Sequence, residues 1–137
     1  MVHFLASSHW TRITTGSVTS LDYYGGYLYG VGLNRAVYRT KPNGRWTCIT
    51  TGSVTMIKVY NGIIYGLGMD KAIWKWLGRR WTRITSGSVT YFTISGSRRP
   101  IFHIGQYRYL GFSYRAITIT DIRNSYHLIR ITNTDKY

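Results

Sequence analysis

The chain holds few residues able to do acid–base or metal chemistry, and their placement does not favour it. All four acids among its 137 residues are aspartates, Asp22, Asp70, Asp121 and Asp135, scattered along the sequence. Glycoside hydrolysis needs two carboxyl groups flanking one bond, and no close pair is suggested here. His3, His9, His103 and His127 show neither metal-ligand spacing nor a His-x-x-x-His pattern. No Gly-x-Ser-x-Gly surrounds a serine nucleophile. Cys48 is the single cysteine, which excludes an internal disulfide and an all-cysteine metal site. The expectation is a protein without catalysis, metal or cofactor.

Binding chemistry has better support, because it recurs. Asn34-Arg35 precedes Tyr38, Asp70-Lys71 precedes Trp74, and Tyr114-Arg115 follows the same polar-then-cation order, with Thr118 in place of the aromatic residue. Sugar recognition uses a flat aromatic face against C–H groups and fixed polar groups against hydroxyls. These eight residues, Asn34, Arg35, Tyr38, Asp70, Lys71, Trp74, Tyr114 and Arg115, are therefore the candidate ligand contacts. The same dipeptides also read as hairpin turns with no ligand at all.

Charge offers a second binding chemistry. Lys and Arg number 18 against 4 acids, a formal net charge of +14. Such a surface attracts nucleic acid, sulfated glycan or lipopolysaccharide phosphates. Arg79, Arg80, Arg98 and Arg99 are the candidate polyanion contacts, interleaved with Tyr and Trp. No nucleic-acid module signature accompanies them.

The elements that must position these residues come from repetition. Trp10, Trp46 and Trp81 stand 36 and then 35 residues apart (46 − 10, 81 − 46), each opening Trp-Thr-x-Ile-Thr followed by Gly-Ser-Val-Thr. A period of this length marks a repeat architecture. The copies span 10–45, 46–80 and 81–127, within one domain of residues 1–137. Partial copies lie at 1–9, where Met1–Leu5 reads as a closing strand, and at 128–137.

Each copy reads as strands separated by turns. Thr19, Leu21 and Tyr23 alternate along a second strand, as do Thr55, Ile57, Val59 and Thr90, Phe92, Ile94. Gly25-Gly26 and Asn61-Gly62 suit type I′ hairpins. Four antiparallel strands per copy give a meander the size of one propeller blade. About nine extra residues fall around 95–106 if Tyr114-Arg115-Ala116 matches Asn34-Arg35-Ala36, which also places Leu128–Thr132 on Trp10–Thr14. A rival alignment sets Phe102–Gly105 on Tyr29–Gly32.

The order of elements resembles the tectonin repeats and the tachylectin-type β-propeller lectins. The matching residues are Trp10, Trp46 and Trp81, the following Gly-Ser-Val, then Leu28–Val31 or Ile64–Leu67, then Val37–Arg39 or Ile73–Lys75. The resemblance covers residues 10 to about 94 and implies a propeller that binds carbohydrate, often microbial surface glycans or lipopolysaccharide, in innate immunity. Tectonin-type propellers close with more blades than three. An all-β, partial or oligomer-completed propeller is therefore expected, with two chains forming a six-bladed ring. A β-trefoil is the competing architecture. The opening tryptophans read either as packing between blades or as sugar platforms. The N-terminus shows no signal peptide and no 18-residue apolar span follows, so the chain reads as cytoplasmic unless a leader was removed.

Overall fold

A computed structural model describes residues 9–108, 111–119 and 128–134. The fold is all-β, with no helix among the described residues. Three antiparallel sheets follow one another along the chain. The first comprises β1 (Ser20–Tyr24), β2 (Tyr27–Val31), β3 (Val37–Thr40) and β4 (Thr47–Cys48). The second comprises β5 (Val54–Tyr60), β6 (Ile63–Gly68), β7 (Ile73–Trp76) and β8 (Trp81–Arg83). The third comprises β9 (Val89–Ser95), β10 (Ile101–Arg108), β11 (Gly111–Ile119) and β12 (Leu128–Thr134). Within each sheet the strands pair in chain order.

Local chemistry explains the tightest turns. Gly25 and Gly26 have φ of 60° and 85°, and Asn61 and Gly62 have 47° and 79°. Both central residues are left-handed, as a type I′ hairpin requires.

The sheets do not coincide with the sequence copies. β4 and β8 open the Trp46 and Trp81 copies, yet each pairs with the last strand of the copy before it. A sheet therefore takes three strands from one copy and its outer strand from the next, which corrects the expectation of one meander per copy. Trp10–Thr14 is the counterpart outer strand, and no strand forms there.

The third copy also departs from the expected alignment. Phe102 and Ile104 face Ile94 and Phe92, as Ile64 and Gly66 face Val59 and Ile57. The β9–β10 connection thus carries three residues more than the two-residue turn Asn61-Gly62, and the longer β10–β11 hairpin absorbs the rest. Tyr114 and Arg115 lie inside β11, opposite Gly105 and Ile104. They correspond to Ile73 and Trp74, not to the turn residues Asp70 and Lys71. Leu128–Thr132 does fall in an outer strand, but Ile131 opposite Ile117 takes the place of Trp81 opposite Trp76. The rival alignment lay one residue from the observed register. Two dissimilar hairpins share the insertion, so matching a single tripeptide could not place it. Met1–Leu5, His3, His127, Asp121 and Asp135 lie outside the described residues.

Sheets stack through two equivalent cores. Tyr29, Val31 and Val37 of the first sheet meet Val54, Ile57 and Ile64 of the second. Tyr65, Leu67, Ile73 and Ile84 then meet Val89, Phe92, Phe102 and Ile104 of the third. The Tyr65 and Phe102 rings pack edge-to-face at 5.0 Å. Where the first strands adjoin, β1 side chains accept hydrogen bonds from backbone donors of β5. The Ile57 N–H donates to Ser20 Oγ at 3.2 Å and the Val59 N–H to Asp22 Oδ2 at 2.6 Å. An edge strand left without such partners would expose pairing groups.

Among the described residues, one face lacks this cover. Leu21 is 52% exposed, whereas its counterparts Ile57 and Phe92 are 1% and 0% exposed. Val18 is 37% exposed against 3% for Val54 and 0% for Val89, and Trp10 stands at 99%.

Candidate functional site

The turn after β2 recurs after β6 with the same hydrogen bonds. Arg35 N–H donates to Gly32 O at 2.9 Å and Lys71 N–H to Gly68 O at 3.0 Å. Arg35 and Lys71 occupy left-handed backbone, φ 66° and 65°. The Ala36 N–H donates to Asn34 Oδ1 and the Ala72 N–H to Asp70 Oδ1, each at 3.1 Å. An Asx side chain bonding two residues on is what stabilises such a turn. Both cations belong to the turn backbone and their side chains are exposed.

Beside each turn lies a pocket built from the same eight positions. The first, about 350 Å³, is lined by Gly16, Ser17, Val18, Gly32, Leu33, Asn34, Tyr38 and Trp46. The second, about 340 Å³, is lined by Gly52, Ser53, Val54, Gly68, Met69, Asp70, Trp74 and Trp81. These volumes fall at the small end of ligand pockets, roughly 300–1,000 Å³. Each site joins two copies: the Gly-Ser-Val turn and Asx turn come from one, the opening tryptophan from the next.

Side chains in both pockets are held in place. Trp46 Nε1 donates to Thr15 O at 2.7 Å and Trp81 Nε1 to Thr51 O at 3.2 Å, so neither indole is free to swing. Asn34 Nδ2 donates to the Tyr38 hydroxyl at 2.9 Å, and Trp74 Nε1 donates to Asp70 Oδ1 at 3.0 Å. Glycine at the base is a steric requirement. A Cβ at Gly68 would stand 2.6 Å from Trp74 Nε1, and one at Gly32 2.7 Å from Tyr38 Cε1.

Asp70 is the charged group of the second pocket. Partial burial works against its ionisation, but hydrogen bonds from Trp74 and Ala72 and the nearby Arg83 outweigh it, and the pKa is lowered. Arg83 Nε lies 3.4 Å from Asp70 Oδ2, with both side chains about half exposed.

In the third sheet, larger side chains among the described residues take the places of the pocket glycines. Gln106 occupies the position of Gly32 and Gly68, and its buried amide donates to Gly87 O at 3.3 Å. Ile104, fully buried, replaces Gly30 and Gly66 beneath the indole position.

Of the expected contacts, Asn34, Tyr38, Asp70 and Trp74 line the pockets, whereas Arg35 and Lys71 do not. Tyr114 and Arg115 lie in β11 rather than in a turn. Sequence reading missed the Gly-Ser-Val segments as site residues and left Trp46 and Trp81 open between packing and a sugar platform; the structure places both indoles in the pocket linings. The signal was present in the repetition of Gly-Ser-Val itself. Arg79 and Arg80 lie in the β7–β8 turn and Arg98 and Arg99 in the β9–β10 connection, at the strand ends opposite the pockets. No group of three metal-ligating side chains occurs among the described residues, and no helix there is long and apolar enough to cross a membrane. No protein-family model matches the chain, and no curated protein matches it.

Proposed function

We propose that this chain is a carbohydrate-binding, lectin-like module of the tectonin propeller type, recognising surface glycans through its two like pockets without catalysis. The recurrence of one recess at the same eight positions of two successive sheets carries the reading. Fixed indoles and an Asx–aromatic pair supply an apolar surface and oriented polar atoms, the combination sugars need. Stacked four-stranded sheets with adjacent first strands favour blades of a propeller over a trefoil. Two weak sites on one body gain strength on a multivalent glycan.

The uncovered face bearing Leu21 and Val18 is where a second copy completes the ring, since the equivalent faces of the other two sheets are each covered by the sheet before. A glycan array followed by titration of single saccharides tests the main reading. Binding that survives Gly32→Gln together with Gly68→Gln, in a variant that keeps its β-sheet circular dichroism, overturns it.

A polyanion-binding reading has its own observation. Lys41, Arg45, Arg79, Arg80, Arg98 and Arg99 lie in turns at one end of the sheets, and those turns contain no acid. Lipopolysaccharide phosphates or sulfated glycans suit that end, away from the pockets.

A further inference from the structure

The two pockets share a frame but differ at their polar group. In the first, Asn34 and Tyr38 are neutral. Once the Asn34 amide donates to the Tyr38 hydroxyl, the pair retains a phenolic hydrogen and a second amide hydrogen, both donors. In the second, the Trp74 N–H and the Ala72 N–H are already spent on Asp70 Oδ1. What remains is a carboxylate with open lone pairs, in a recess lined by Trp74 and Trp81.

We propose that the second pocket takes a ligand bearing an ammonium group, an amino sugar or a quaternary ammonium headgroup, with Asp70 as counter-ion and Trp74 and Trp81 as aromatic contacts. The proposal rests on the pocket being a binding site and gives its ligand class. Tryptophan is the strongest aromatic partner for a cation, and a carboxylate beside it adds direct attraction. Arg83 competes for Asp70, but it meets only Oδ2, at 3.4 Å, and its side chain is 49% exposed. An exposed pair of this kind contributes little and yields to a better-placed cation. The net charge of +14 opposes a cation at long range, yet charges beyond about 8 Å are largely screened at physiological salt.

The test uses the full chain, 15N-labelled at tryptophan, with indole N–H signals followed during titration at pH 7. The probes are choline, methyl glucosaminide with its free amine, and neutral methyl glucoside. The ammonium probes should move the Trp74 and Trp81 signals and bind about three- to tenfold tighter than the glucoside. Asp70→Asn should erase that preference, and Asn34→Asp should create it at the Trp46 pocket. Equal binding of glucoside and the ammonium probes, or a preference unchanged in Asp70→Asn, overturns the ammonium assignment and leaves the sugar reading standing. Choline and glucosaminide shifts without any glucoside response support the assignment. Choline alone would support it while removing the sugar reading. Silence of both indoles toward all three probes overturns both.

Discussion

Trp74 donates its indole N–H to Oδ1 of Asp70 at 3.0 Å, four residues back across the turn. Tyr38 and Asn34 make the matching contact in the first sheet, with the donor reversed, since there the Asx side chain donates. One frame thus holds an aromatic ring by either direction of hydrogen bond. Replacing Trp74 by Phe removes the donor and leaves Asp70 Oδ1 with Ala72 alone. Saccharide binding at the second pocket should weaken severalfold, with the Trp46 pocket unchanged, when the two are followed by indole NMR signals.

Asp70 also links the site to acid stability. Its folded pKa lies below the ordinary 3.8, so the unfolded chain takes up the proton first. The contribution is present above pH 3.8 and is lost as pH falls through the lowered folded value. Asp70→Asn should lower the urea midpoint slightly at neutral pH and flatten its fall on acidification, so that variant and parent converge at low pH.

Tyr65 couples stability to alkaline pH. Burial, with Tyr60 nearby adding to it, pushes its pKa up from 10.0 to about 12. The folded state keeps the phenolic proton that the unfolded chain releases, so stability is full below pH 10 and falls as pH rises toward 12. Tyr65→Phe should reduce that fall, measured by denaturant titration at pH 9 and pH 11.

Equivalent positions should respond unequally to truncation. Ile57 is 1% exposed and Leu21 52%. Ile57→Ala should cost about 2–5 kcal/mol. Leu21→Ala in an isolated chain should stay within about 0.5–1 kcal/mol. If a second copy covers Leu21, Leu21→Asp should shift sedimentation toward monomer without lowering the monomer's own melting temperature.

The cationic turns make a salt-dependent prediction. Retention on a sulfated-glycan column should fall steeply as salt rises. Replacing Arg79, Arg80, Arg98 and Arg99 by Ala should cause elution at lower salt, with saccharide titration of the pockets unchanged.

Much of the architecture was legible because one period carried several signals together. Gly25-Gly26 and Asn61-Gly62 marked hairpins through their left-handed backbone, and alternation at Leu21, Ile57 and Phe92 marked the stacking faces. Two of the eight positions of each pocket were legible too, Asn34 and Tyr38 in the first and Asp70 and Trp74 in the second. The rest depends on contacts between copies. Trp46 and Trp81 reach pockets begun by the preceding copy, which a reading confined to single repeats divides in two. Arg35 and Lys71 sit at the left-handed position of their turns, and recurrence alone does not separate a place in the turn from ligand contact. Gln106 takes the glycine position of the third sheet at a shift in register, which the sequence period alone does not place.

The displaced boundary between sheet and copy has a genetic corollary. Because every outer strand is supplied by the following unit, excising or duplicating a whole period leaves each junction furnished with a compatible strand. Gain or loss of units by unequal exchange can therefore proceed without creating a broken sheet, and the number of recesses becomes a quantity that selection can adjust.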